Sequence, residues 1–138
     1  MRGRSGWLAL ATAAAFGLVV MASEKAPDSY VKNMKDTNAA AQSLRKSVEA
    51  KDYDAVAKDA ATLKELFAST EEFWTKRNTE DAVTAAKAGV KAATDLETAA
   101  KSKDGAAVAD AAKAVNATCK TCHDAHRERL PDGTSEIK

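Results

Sequence analysis

The chain has 138 residues, enough for one domain, and its 21 basic and 20 acidic side chains give a formal net charge of +1. Both signs are interspersed along the chain, so it lacks the basic stripe of a nucleic-acid-binding protein, and we expect no nucleic-acid partner. Alanine is abundant, whereas proline, aromatic and β-branched residues are few, which favours helices over a sheet.

Residues 1–22 have the layout of a secretory signal peptide. Two arginines precede an uncharged apolar run of 16 residues, Trp7 to Ala22, which ends in small residues suited to cleavage before Ser23. The run is short for a membrane span. We therefore expect export to a bacterial periplasm, no stable membrane association and a mature domain of residues 23–138, with retention as an N-terminal anchor as the alternative.

Four segments of the mature chain have apolar residues spaced alternately four and three apart, which is the seam of a helix bundle. They run from about Asp28 to Ala50, Tyr53 to Arg77, Thr79 to Lys101 and Ala106 to Arg129. Short connections between helices of similar length make neighbours antiparallel. The sequence therefore predicts an all-α fold, an antiparallel up-down-up-down four-helix bundle.

The ends of these helices are also predicted from residue type. Asp52 and Asn78 are predicted N-caps of the second and third helices, because their side chains can accept a hydrogen bond from the first turn. Leu130-Pro131-Asp132-Gly133 is predicted to stop the fourth helix. Residues 134–138 are then expected to form a short tail.

The strongest chemical signal lies in the fourth helix. Cys119-Lys120-Thr121-Cys122-His123 is C-x-x-C-H, the attachment signature of c-type haem. The two thiols can add to the two vinyl groups on one haem edge, and the imidazole can bind the iron. At about 100° per residue, the three side chains lie within about 100° of one another, so all can reach one haem.

A redox dithiol and a zinc site are the alternatives for these cysteines. A thioredoxin-like dithiol expects a βαβ setting, which the sequence lacks. A zinc site would need His126 as well as His123, and four ligands within eight residues do not match zinc-finger spacing.

The chain resembles the class II cytochromes c, the cytochrome c-prime family, over roughly residues 28–130. The resemblance rests on the segment from Cys119 to Arg127 and, more loosely, on Tyr30-Val31-Lys32-Asn33-Met34 and Glu72-Phe73-Trp74. It implies a four-helix bundle with one covalent haem, in which Arg127 flanks the haem on the histidine side. Homodimers are common among such proteins and are left open for this chain.

Two features depart from that family. An aromatic residue usually lies three positions after the haem histidine, where this chain has His126, and members often end soon after the motif, whereas this chain continues to Lys138.

From its placement in the second helix, Trp74 is expected to contact the haem.

Met34 is expected on the opposite side of the iron from His123. In an up-down-up-down bundle both residues lie at the same end, each about 6–9 Å from its helix terminus. We predict that Met34 is the sixth ligand of a low-spin His/Met iron. The alternatives are that it covers an open iron face or fills the core. His126 lies on the same side of the helix as His123 and should not reach the other face.

These features predict a periplasmic cytochrome that exchanges single electrons with redox partner proteins. No residue set supplies a nucleophile, a base and oxyanion donors, so no enzyme is predicted. A five-coordinate haem that binds nitric oxide or carbon monoxide is the alternative function. A weak haem peroxidase is a third alternative. It would need a polar base on the iron face opposite His123, and the other histidine, His126, is expected on the same side as His123.

Overall fold

The computed structural model describes residues 22–138, in which four helices are followed by two short strands. The helices are α1 (Asp28–Glu49), α2 (Tyr53–Lys76), α3 (Glu80–Lys101) and α4 (Gly105–His126), and the strands are β1 (Arg127–Arg129) and β2 (Ser135–Ile137). The prediction of an all-α four-helix bundle is confirmed. None of these helices is long and apolar enough to cross a membrane. The predicted signal peptide lies outside the described residues, apart from Ala22.

Contacts between consecutive helices show their relative directions. Asn33 of α1 donates a hydrogen bond to the Thr70 hydroxyl of α2 over 2.9 Å, and Ser47 donates to Asp59 over 2.9 Å. Residue numbers thus rise along α1 as they fall along α2, so these two helices are antiparallel. The complete up-down-up-down order stays a prediction.

The helix α3 packs closely against α2 because its buried face is made of small residues. Ala82, Ala86, Ala93 and Ala100 are nearly inaccessible to solvent. At Gly89, a Cβ atom would lie only 2.6–2.8 Å from three ring carbons of Phe67, so the ring occupies the space that a larger residue would need. The approach of α3 to α2 therefore depends on these small side chains.

The three connections between helices share one geometry. Their middle residues are Lys51, Asn78 and Lys103, which have φ values of 55°, 55° and 54°. In the first connection, the Asp52 N–H donates to the Ser47 carbonyl and the Lys51 N–H to the Val48 carbonyl, and the other two repeat this pattern. This is the Schellman arrangement, which satisfies the last free carbonyls of each helix.

The third residue of each connection begins the next helix. The Asp52 carboxylate accepts a hydrogen bond from the Ala55 N–H over 3.1 Å, so the prediction of this N-cap is confirmed. The prediction for Asn78 is wrong, because the left-handed position needed to end α2 falls on Asn78. Thr79 is the N-cap residue of α3 instead.

The C-terminal residues form a β-hairpin. The helix α4 ends at His126, three residues earlier than expected, and β1 pairs antiparallel with β2. Glu24 adds two backbone hydrogen bonds to Ile137, of 2.8 and 2.9 Å, on the other edge of β2. Ile137 is 4% exposed and packs with Trp74, which explains why this segment is ordered. Three residues of the expected short tail thus form a strand.

Lys51→Gly and Lys103→Gly should each raise the free energy of unfolding by about 0.5–1 kcal/mol. A side chain in the left-handed region costs roughly 1–2 kcal/mol, and the greater chain entropy of glycine offsets part of this gain. Urea unfolding followed by circular dichroism measures the change. Lys113→Gly, in the exposed interior of α4, is the matched control and should lower stability by about 1 kcal/mol. Destabilisation by all three substitutions would contradict the prediction.

Candidate functional site

The last helix is packed into the core only along its first half. Val108 and Val115 of α4 are buried, whereas no residue from 116 to 126 is fully buried. The space between this half of α4 and α1 contains two adjoining cavities of about 280 and 780 Å³. Six residues line both of them: Tyr30, Met34, Asn38, Cys122, His123 and Arg127. We call this space the α1–α4 cleft.

The C-x-x-C-H motif faces the α1–α4 cleft. Cys119 lines the first cavity, and Cys122 and His123 line both. Both cysteines are free thiols and half-buried. Met34 lines the same two cavities from α1. The structure thus brings the two cysteines, the histidine and the methionine to one cleft, with Met34 on the wall opposite His123.

Burial is the main influence on the protonation of the motif. It raises the pKa of the Cys119 thiol, and it raises the pKa of Cys122 to about 11, with further contributions from Cys119 and Asp81. Burial, followed by the Arg127 charge, lowers the pKa of His123. At neutral pH both thiols are protonated, and the imidazole is neutral with a free lone pair, the form in which histidine binds metals.

Arg127 lies in the α1–α4 cleft, directly after the last residue of α4. It is half-buried and lines both cavities, one helical turn beyond His123. Its guanidinium contributes to lowering the pKa of the His123 imidazole. The structure therefore places this predicted site residue beside the histidine.

Trp74 does not line either cavity. It is 2% exposed and lies at the end of the bundle, with its ring centroid 4.9 Å from that of His126. The His126 Nε2 atom in turn lies 2.9 Å from the Asp81 Oδ2 atom at the start of α3. These contacts place Trp74 behind His126. The structure does not bring Trp74 together with the predicted iron ligands.

An aromatic cluster lies beside the cleft at this end, and its member Tyr30 lines both cavities. The Tyr30 and Phe73 rings are stacked with centroids 4.0 Å apart, and both meet the Trp74 ring edge-on. Burial raises the pKa of Tyr30 to about 12, so its hydroxyl stays protonated. The Trp74 Nε1 atom is buried without a hydrogen-bond partner among the described residues. The Tyr30 ring thus joins the cleft to the buried aromatic residues at the end of the bundle.

Sequence reasoning missed several residues that line the cleft. Tyr30 and Asn38 lie four residues before and after Met34, and one helical turn in each direction places them on the same face. That spacing could have identified both. Arg129 also lines the second cavity, but the sequence placed it in α4 and gave no sign of the hairpin that carries it.

No protein-family model matches the chain, and no match to a curated protein is found. Among residues 22–138, no group of three or more histidine, cysteine, aspartate or glutamate side chains is arranged to hold a metal ion.

His126→Ala should lower the free energy of unfolding by about 1–3 kcal/mol, because the ring packs against Trp74 at an interplanar angle of 43° and its side chain is only 14% exposed. His126→Phe keeps an aromatic ring there and loses only the contact with Asp81, so it should cost less than about 1 kcal/mol. Urea unfolding of both variants tests this difference. Equal losses would show that packing against Trp74 is not the main contribution.

Proposed function

We propose that the chain is a periplasmic c-type cytochrome, similar to the cytochrome c-prime family, that transfers single electrons to and from redox partner proteins. One haem would be bound covalently in the α1–α4 cleft. The observation that carries the proposal is the meeting of Cys119, Cys122 and His123 with Met34 across one cleft. A homodimer is compatible with this proposal.

The chemistry of the residues present fits a haem. Two free thiols and a neutral imidazole project from one face of α4, which is the set that covalent attachment and iron ligation require. The adjoining cavities, of about 280 and 780 Å³, are of the size that holds cofactors. A flat, largely apolar group would also fill the space that separates α1 from the second half of α4.

A bound haem would supply the change between ferric and ferrous iron. The residues of the chain would hold it in place and limit what reaches the metal. Cys119 and Cys122 would hold the haem through thioether bonds, and His123 would bind its iron. The Met34 thioether would be a further iron ligand and would favour the reduced state, because methionine ligation raises the potential. Phe67, Ala85 and Ala86 line the inner side of the cleft and would exclude water.

A five-coordinate haem that binds nitric oxide or carbon monoxide is the second candidate. The second cavity reaches Met34, so a small gas could approach that side of the cleft if the methionine moved aside. In that case Met34 would cover the iron without ligating it. The two candidates make different predictions for substitution of this residue.

The proposal is tested on protein recovered from the periplasm of a bacterium that matures c-type cytochromes. The intact mass should exceed that of residues 23–138 by one haem, and the protein should show a Soret band. Cys119→Ala/Cys122→Ala should abolish the added mass, because both attachment sites are lost. Thr121→Ala, an exposed position between the two cysteines, is the control and should retain it. Wild-type protein without haem would overturn the proposal.

Met34→Leu should convert a low-spin spectrum into a high-spin one that shifts on adding carbon monoxide. Leucine keeps about the same volume but has no sulfur to ligate iron, so the change isolates ligation from packing. The methionine-to-iron charge-transfer band should disappear and the reduction potential should fall. A wild-type protein that is already high-spin, and that Met34→Leu leaves unchanged, would instead support gas binding.

A further inference from the structure

The lysines and arginines that line the α1–α4 cleft differ from most others in the described part of the chain. They are Lys25, Lys35, Arg45, Arg127 and Arg129. None of the five forms an ion pair or a side-chain hydrogen bond within residues 22–138, whereas most of the remaining lysines and arginines pair with a carboxylate. The cleft thus carries positive charge that no acidic side chain of the described chain neutralises directly.

Four of these five cations line the end of the cleft next to the β1–β2 hairpin, which we call the hairpin end. Lys25, Lys35, Arg127 and Arg129 line the second cavity, and only Arg45 lies toward the other end. Arg127 and Arg129 are two residues apart on β1, so their side chains leave the same face of the strand. The hairpin therefore brings two guanidinium groups to the cleft, and Lys35 faces it from α1.

Three carboxylates also line the second cavity, and two of them already have partners. Asp132 accepts hydrogen bonds from the Thr134 N–H and hydroxyl, and Glu136 accepts one of 2.6 Å from the Ser23 hydroxyl. The third is Asp28, in the first turn of α1. These neutral donors leave both carboxylates charged, so the four cations exceed the three carboxylates at this end by one charge, and an anionic group would be attracted there.

We propose that the hairpin end of the cleft binds the two carboxylates of the haem, with Arg129 and Lys35 as their counter-ions. This inference rests on the proposed function and adds the orientation of the cofactor within the cleft. The two thioethers fix the vinyl-bearing edge, so the two carboxylates of the opposite edge must lie elsewhere. Negative charge at a partly buried position requires a partner. Both cavities share Arg127, and the second adds Lys25, Lys35 and Arg129, whereas the first adds Arg45 alone among the described residues.

The test compares two ligands with the same macrocycle, one with two carboxylates and one in which both are neutral methyl esters. Hemin carries two carboxylates, and hemin dimethyl ester carries neither. The host is the mature chain with Cys119→Ala/Cys122→Ala, which makes binding reversible, and a Soret titration measures both dissociation constants. Hemin should bind more tightly than the ester. Arg129→Gln and Lys35→Gln should each weaken hemin binding about two- to five-fold, and their combination about ten-fold, while ester binding stays constant.

Salt and a distant lysine provide the controls. The preference for hemin over the ester should shrink as ionic strength rises, because exposed charges are screened. Lys46→Gln, on the exposed surface of α1 and outside both cavities, should leave both dissociation constants unchanged. Circular dichroism verifies that the variants keep their helices, and Lys35→Gln tests the inference without altering the hairpin.

Each other outcome overturns a defined claim. Equal binding of hemin and its ester, or a preference that survives in both Arg129→Gln and Lys35→Gln, would refute the assignment of the carboxylates and leave the proposed function intact. Selective loss of hemin binding in Arg45→Gln alone would place the carboxylates at the other end of the cleft. Absence of a Soret shift with either ligand, together with wild-type periplasmic protein that carries no haem, would refute the proposed function itself.

Discussion

The separation of α1 from the second half of α4 is the constraint on which the rest of the structure depends. A four-helix bundle usually fills the space between its first and last helices with side chains. Here Val108 and Val115 do so only in the first half of α4, and the cleft opens at the residues that carry C-x-x-C-H. The same feature that leaves the bundle incomplete places two thiols, an imidazole and a thioether around one space.

The cleft is bordered by two closely packed regions of the bundle. The alanine-rich face of α3 and Gly89 let α3 approach α2 so closely that the Phe67 ring touches the α3 backbone. At the end of the bundle, Trp74, His126 and Ile137 form a second contact region, which the hairpin closes. The first region holds α3 against α2, and the second holds the C-terminal end of α4.

The chemistry of the site follows from partial burial. Desolvation keeps the thiols protonated and the imidazole neutral, so the motif presents uncharged groups to a largely apolar cleft. The cations gather instead at the hairpin end, where solvent reaches them. A cofactor with an apolar ring and two charged groups matches this division, and that match supports both the haem and its proposed orientation.

The sequence by itself determined the four helices and the chemical motif. The four-three spacing of apolar residues requires a helix with one buried stripe, and the spacing of Cys119, Cys122 and His123 puts them on one face, because both are properties of a single helix. Only the tertiary structure decided the hairpin, the place of Trp74 behind His126 and the cations at the end of the cleft. Each depends on contacts between residues far apart in the chain, such as Glu24 with Ile137 and Asp81 with His126, which no local pattern encodes.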